Sequence, residues 1–524
     1  MLARISKSEI ELAQHLLLDC CDLGVLEQIL SREEVYLGFQ NELIELPDSK
    51  KKIRIAEIIV HLLGDNLLNS NLVREAIAES KRTSFLVNWK PGSANAVKFC
   101  KKIDLPEVFA GTLPTPKPPA VERLHSIQDY PVLTDYQKEV YDIAIDSLNN
   151  NKSALVTLPT GAGKTLVATN IVVDWHRENK NGITTIWLAH SEELCEQAVE
   201  CLKQTWDGKL GPTPAVIYRA WGNHTKKITN GEVFQDAESG NTNEVIHSII
   251  VTTPITALRI LENKLNGSIS KSLSGLNLLV IDEAHRAASP SYRNVIREAG
   301  KFSNENINLI GLSATPIRET YASKKYEGTQ ELAKLFGKLI EPVNTLGEFS
   351  SPIVALQNMG ILANLEVNKI DCDDKSDKKI AEVICNNWSD DSGPALLFTS
   401  TVSSSKVITT LLRENGIAAE YVTGKSTSVE RYNIVAGLKN GSIDILSNCE
   451  ILTTGFDAPS VKTIYLARHT NSPVLYKQIV GRGLRGASFG GSPTCKLFLC
   501  GIDLPFDADP NTSEFARTVW SLKS

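Results

Sequence analysis

The chain has 524 residues, 42% of them hydrophobic and 22% charged, with a formal net charge of −6. That length exceeds what one core holds and predicts about two to four domains. The composition is that of a soluble globular protein, and the acidic balance excludes a strongly basic nucleic-acid coat while leaving room for a local basic cleft. The 10 cysteines are dispersed without a Cys-x-x-Cys pair, which excludes a zinc ribbon or finger. Scattered thiols fit a reducing cytoplasm. The first residues lack a basic stretch followed by an apolar one, so no signal peptide is expected. No uninterrupted apolar run reaches the ~18 residues of a membrane span, so no membrane association is expected either.

Residues 1–110 read as a small all-helical domain. Ile10 to Leu18 and Val25 to Leu30 give two helices. Ile55, Ile58, Ile59, Leu62 and Leu63 then share one helical face, and Gly64-Asp65 stops that helix. Leu72, Val73, Ala76 and Ile77 repeat the pattern. No catalytic cluster occurs here, and the segment is expected to be an interaction or regulatory module. Pro114, Pro116, Pro118 and Pro119 follow closely and favour an extended spacer over 111–127.

From Leu133 the pattern alternates strand and helix. Leu133-Thr134-Asp135-Tyr136-Gln137 opens a helix, and Gln137 is placed to read an adenine edge. Ala154 to Thr157 is a buried strand, and Leu166 to Trp175 a helix. Between them stands Leu158-Pro159-Thr160-Gly161-Ala162-Gly163-Lys164-Thr165, a phosphate-binding loop. Gly161 and Gly163 let backbone N–H groups, with those of Thr160 and Ala162, close around phosphate oxygens. Lys164 supplies charge to the β- and γ-phosphates of ATP, and Thr165 a hydroxyl for Mg²⁺. The helix N-terminus adds its partial positive charge.

Ile183 to Ala189 and Ile249 to Thr253 are further strands. The polar stretch 207–244 between them reads as a surface excursion. Leu276 to Ile281 is a strand that ends in Asp282-Glu283-Ala284-His285. Two carboxylates at the end of a buried strand need a cation or a water to hold. Asp282 suits a Mg²⁺ ligand, and Glu283 the base that positions the attacking water. Leu309 to Leu312 ends in Ser313-Ala314-Thr315, whose hydroxyls are placed to bond the acidic pair. A second α/β unit has strands at Ala395–Phe398, Ile443–Leu446, Thr463–Leu466 and Lys496–Leu499. It carries Thr453-Thr454-Gly455-Phe456-Asp457-Ala458-Pro459 and Gln478-Ile479-Val480-Gly481-Arg482-Gly483-Leu484-Arg485. Arg482 and Arg485 fall three apart on one helical face and would neutralise charge on a transferred phosphoryl group.

In this order the motifs resemble those of superfamily 2 helicases and translocases. The similarity covers about residues 128–505. Leu158–Thr165 matches motif I, Asp282–His285 motif II in its DEAH form and Ser313–Thr315 motif III. Thr453–Pro459 matches motif V and Gln478–Arg485 motif VI. His190–Gln197 and Thr252–Pro254 sit where motifs Ia and Ib belong. Ile451–Pro459 and Tyr476–Arg485 are most similar to the bacterial RadD-like and type III restriction group, whose members act on DNA. The resemblance implies an α/β fold of two RecA-like parallel-sheet lobes, residues 128–345 and 346–510, with a short tail at 511–524. It implies ATP and Mg²⁺ as cofactors. Gln137, Gly455 and Asp457 join the nucleotide site, Gln478 joins the catalytic arginines, and His285, Ser313 and Thr315 couple nucleotide to nucleic acid. DNA is expected more than RNA, with DNA repair or phage defence as the setting. An ATP-switched adaptor that recruits a protein partner through residues 1–110 is the alternative. The place of that module is similar to that of helical adaptors fused to enzymes in bacterial antiviral systems.

Overall fold

The computed structural model describes residues 5–83, 88–111, 118–124, 132–179, 182–209, 215–229, 247–262, 269, 272–303, 307–316, 327–346, 352–370, 376–453, 461–470 and 472–504.

Six helices come first: α1 (Lys7–Cys20), α2 (Leu23–Arg32), α3 (Tyr36–Ile44), α4 (Asp48–Leu63), α5 (Asn71–Ser80) and α6 (Ala94–Lys102). Their starts follow from side-chain caps. Ser6 and Glu9 form a reciprocal capping box on α1, Asp22 caps α2 and Ser93 caps α6. The apolar face read on α4 is buried along its whole length and is the centre of this module. Each such aliphatic side chain contributes about 1.5–3 kcal/mol by leaving water.

Lobe 1 is an eight-stranded sheet of β1 (Val121–Leu124), β2 (Ala154–Thr157), β3 (Thr184–Leu188), β4 (Ala215–Ala220), β5 (His247–Thr252), β6 (Leu276–Ile281), β7 (Asn308–Ser313) and β8 (Lys338–Ile340). Their order is β1-β4-β5-β3-β6-β7-β2-β8. All pairs are parallel except β1 with β4. Lobe 2 has β9 (Asn364–Ile370), β10 (Ala395–Thr399), β11 (Ala419–Val422), β12 (Ile445–Asn448), β13 (Thr463–Ala467) and β14 (Thr494–Cys500). Their order is β11-β12-β10-β13-β14-β9, parallel throughout. The expected all-helical first region and two parallel-dominated sheets are therefore present. Among the described residues no helix is long and apolar enough to cross a membrane.

Two local readings differ. Within the polar stretch 207–244, Ala215–Ala220 is a buried strand followed by the helix Gly222–Thr229. Within the expected spacer, Val121–Leu124 is a strand. One residue explains both. Arg219 on β4 is wholly buried, yet its guanidinium lies 2.8 Å from Glu122 on β1 and 3.0 Å from Glu196, and it donates to the Pro119 carbonyl at 3.0 Å. A buried arginine needs such partners, and β1 provides them. Ionic residues in both strands hide their apolar pattern.

The helical module packs against lobe 2. Val407, on the helix Val402–Glu414, belongs to the module's own hydrophobic core. A Cβ on Gly38 of α3 would meet Val407 Cγ2 at 2.5 Å, so the close approach requires glycine there. Arg54 of α4 makes a two-pronged bond to Glu414, at 2.8 and 3.0 Å. Arg413 donates to the carbonyls of His61 and Leu62 at the end of α4.

Candidate nucleotide site between the lobes

The site's residues sit at the carboxyl ends of parallel strands, where open α/β sheets bind ligands. β2 leads into the phosphate loop and β6 into Asp282. Gly161 and Gly163 take φ of +88° and +81°. A Cβ at Gly163 would overlap the Gln137 amide. The helix Lys164–Glu178 begins directly after the loop, so its first N–H groups face the phosphate position. The cradle therefore fits a polyphosphate that the backbone approaches closely.

Lys164 Nζ donates to its own loop, to the carbonyls of Leu158 at 3.1 Å and Pro159 at 3.3 Å. Burial pulls its pKa down, while Glu283 and Asp282 push it up. The backbone of Asp282 donates to the Leu188 carbonyl, which fixes the acidic turn to β3. Glu283 N–H donates to Asp282 Oδ1 at 2.8 Å. Glu283 adopts a left-handed φ of 50°, an unusual conformation for a residue with a side chain. Burial and then the adjacent Glu283 raise the Asp282 carboxyl. Burial also raises Glu283, but His285, Lys164 and Arg482 outweigh it and hold that carboxyl below its ordinary range. His285 Nδ1 stands 3.3 Å from Glu283 Oε2.

Lobe 2 closes on this centre. Gln478 lies on the helix Pro473–Val480, but Arg482 and Arg485 both follow its end, so the two arginines do not share the helical face that their spacing predicts. Arg482 Nε donates back to the Gln478 carbonyl at 3.3 Å. The charge of Arg482 reaches Lys164, Asp282 and Glu283, so groups from both lobes share one electrostatic cluster. The Gln478 side chain is buried, and its Nε2 is a donor without a hydrogen-bond partner among the described residues. An orphaned buried donor fits a ligand oxygen.

Other expected residues do something different. Gln137 is buried and engaged locally. Its Oε1 accepts from Thr134 N–H at 3.0 Å, and its Nε2 donates to the Ala162 carbonyl at 3.1 Å, beside Tyr136 Oη at 2.9 Å. It braces the phosphate loop from outside. Ser313 Oγ donates to the Thr315 carbonyl and accepts from Thr315 N–H, so its hydroxyl serves its own turn rather than the acidic pair. Gly455 and Asp457 lie outside the described residues.

Leu362 has no counterpart in the sequence reading. It forms an antiparallel bridge with Arg485, and its Cδ2 comes within 3.4 Å of where a Cβ on Gly161 would be. Neighbouring bonds run from Ala363 N–H to the Leu484 carbonyl and from Gly486 N–H to the Ile361 carbonyl. The crossing between lobes is thus stitched to the arginine segment and touches the phosphate loop. Glu193 and Arg431 also pair across the lobes. A lone leucine after a short helix carries no motif, and a charged pair distant in sequence carries no spacing signal.

Residues 131–318 match the family described as type III restriction enzyme, res subunit, and residues 376–487 match the helicase conserved C-terminal domain. The chain belongs to superfamily 2 of the helicases, in the group related to type III restriction enzymes. This helicase is 29% identical over 378 residues to IRC3 of Saccharomyces cerevisiae, which carries the name of an ATP-dependent helicase; the alignment covers 68% of this chain and 50% of that one. It is 26% identical to the irc3 protein of Schizosaccharomyces pombe, named as mitochondrial, covering 67% of this chain and 55% of that one. It spans about half the length of these relatives. Among solved structures, the type ISP restriction-modification enzyme LlaBIII, bound to DNA, shares its fold with a TM-score of 0.52 at 16% identity, covering 75% of this chain and 29% of that one.

Proposed function

We propose that this helicase is an ATP-dependent DNA helicase or translocase in which hydrolysis between the lobes drives movement on a strand. One observation carries the reading: Lys164, Asp282 and Glu283 of lobe 1 and Arg482 of lobe 2 converge in a single charged cluster. Lys164 exchanges its two loop carbonyls for the β- and γ-phosphates of ATP. Thr165 and Asp282 would hold Mg²⁺, which supplies charge neutralisation to the phosphates. Glu283, kept ionised by its cationic neighbours, orients the attacking water and takes its proton. Arg482 and Arg485 face the transferred phosphoryl group from lobe 2, and the orphaned Gln478 amide offers a further donor. Loss of that group removes what both lobes grip, and they part. Backbone phosphates are the expected contacts, so binding is sequence-tolerant and weakens with salt.

DNA is favoured over RNA because LlaBIII is seen bound to DNA. The nine described cysteines form no disulfide, which supports a reducing compartment such as the cytoplasm. The alternative of an ATP-switched adaptor rests only on the presence of the helical module. The deciding experiment is the steady-state ATPase rate, alone and with single-stranded, duplex and forked DNA and with RNA, using Lys164→Ala as the blank. Strong stimulation by one DNA form supports the motor. An unstimulated rate with every nucleic acid overturns it.

A further inference from the structure

The helical module meets lobe 2 at one end of the rim formed by the carboxyl ends of its strands. β10 runs into Ser400 and Thr401, and β11 into Thr423, Gly424 and Lys425. The Ser400, Thr401 and Thr423 hydroxyls are spent on local bonds, so Lys425 is the group on this rim that suits a phosphodiester backbone. The module presents the opposite charge. Between α2 and α3 stands the turn Glu33-Glu34-Val35. Lys406 donates to the Glu33 carbonyl at 2.9 Å and pairs with its carboxylate at 2.8 Å. Ser403 Oγ donates to the Glu34 carbonyl at 2.6 Å, and Lys425 pairs with the Glu34 carboxylate at 2.7 Å.

The two ion pairs differ in kind. The Lys406 side chain is 10% exposed and stacks near Tyr421, so Glu33 with Lys406 is a fixed anchor. The Lys425 side chain is 80% exposed and that of Glu34 51%, so this pair exchanges readily with solvent ions. Glu34 is nevertheless held in place. Its φ is +65°, a strained value for a residue with a Cβ, and Val35 beside it is fully buried. The backbone strain fixes the turn rather than the carboxylate itself, and from that turn Glu34 neutralises an exposed lysine at this end of the rim.

We propose that the Glu33–Glu34 turn is an acidic gate on the nucleic-acid path of lobe 2: Glu34 holds Lys425 until a backbone phosphate displaces it. This rests on the reading of the chain as a nucleic-acid motor and assigns the helical module a place in it. The module lowers affinity for a strand that has not reached the rim, and Lys425 changes partner from protein carboxylate to phosphate.

The test is fluorescence anisotropy of a labelled oligothymidylate at stepped salt concentrations with the full chain. Glu34→Gln is expected to tighten binding about two- to fivefold, the scale of an exposed ion pair. It should also steepen the slope of log K against log salt by about 0.7, one added phosphate contact. Glu34→Asn, which tolerates the left-handed backbone, should act alike and excludes a folding defect. Lys425→Ala should weaken binding and flatten the slope. On that background Glu34→Gln should have no further effect. Equal tightening with and without Lys425 would show a diffuse charge effect and overturn the gate, as would unchanged affinity and slope. If the wild-type chain binds no oligonucleotide at low salt and its ATPase is unstimulated, the motor reading falls and the gate with it. If the wild type binds and only the variants are silent, the gate alone falls.

Discussion

Thr160 of the phosphate loop and Gly481 of the arginine segment touch so closely that a Cβ on Gly481 would lie 2.5 Å from Thr160 Cβ and 2.7 Å from its Cγ2. The two residues belong to different lobes. Glycine at 481 therefore lets the two lobes approach here, and a Cβ would also crowd the Lys477 carbonyl of its own lobe at 2.9 Å. Gly481→Ala should cost the closed state about 1–3 kcal/mol by overpacking, a fall in ATPase rate of roughly fivefold to more than a hundredfold. Binding of a fluorescent ATP analogue to lobe 1 should persist. An ATPase rate equal to wild type would show that hydrolysis does not need this approach.

Glu283→Gln should retain ATP binding and lower turnover by about 10²- to 10⁴-fold, because an amide takes up no proton. Lys164→Ala should lose both binding and turnover. Equilibrium dialysis with labelled ATP separates the two. If Glu283→Gln also fails to bind ATP, its role as the water-orienting base is wrong.

Glu193 and Arg431 join the two lobes. Glu193→Arg should raise the ATP concentration needed for half-maximal rate, and so should Arg431→Glu. The doubly exchanged chain should recover most of the loss, since the pair's attraction is restored with reversed sense. Such a partly exposed pair contributes about 0.2–1 kcal/mol in all. An exchanged chain no better than the single variants would mean that the pair is incidental.

Arg54 and Glu414 are both mostly buried at the junction of the helical module with lobe 2. Arg54→Met leaves Glu414 without its charged donor and should loosen the module by about 1.5–3 kcal/mol. Hydrogen exchange in α4 and in Val402–Glu414 reports it directly. A double-mutant cycle with Glu414→Gln should show strong coupling, and additive effects would argue against a direct pair.

His176 and His247 are buried together in lobe 1, with ring centroids 4.9 Å apart. His176 Nε2 shares a hydrogen bond with Thr185 Oγ1 at 2.8 Å, and His247 Nδ1 accepts from Ile183 N–H. Burial, and for His176 also its histidine neighbour, pushes both below the ordinary value of 6.5. The folded chain thus binds fewer protons than the unfolded one once pH falls below about 6.5, and stability drops on acidification. The loss per group is at most about 1.4 kcal/mol per pH unit. Denaturant midpoints measured from pH 7.5 to 5.5 should fall. His176→Phe should flatten that fall even though it lowers stability at pH 7.5. An equally steep fall in the variant would exclude His176 as a source.

Much of the fold was legible because the relevant signals are local. The phosphate loop needs two glycines and a lysine within a few residues, and α4 needs one apolar stripe. The acidic turn is a short run at the end of an apolar strand. What stayed hidden depends on partners remote in sequence. β4 looks polar because Arg219 stands in it, and only Glu122 and Glu196 make that arginine tolerable. Gln137 is spaced to meet a nucleotide, yet its amide is spent on Thr134 and Ala162. Leu362 acts through its backbone and through contact with a glycine, and neither leaves a trace in residue type. The seating of the helical module on lobe 2 follows from Gly38, Val407 and Arg54, which no periodicity links.

The module's seat also makes the prolines a leash. Gly111 ends the module, which rides on lobe 2, while Pro119 and β1 are pinned to lobe 1 through Arg219. The covalent path from Gly111 to Pro119 is eight residue steps, which reaches no further than about 28 Å when fully drawn out. Two ropes therefore join the lobes, one through Leu362 and one through the prolines. The second sets an outer limit on how far they can separate, a limit fixed by the number of residues in the spacer.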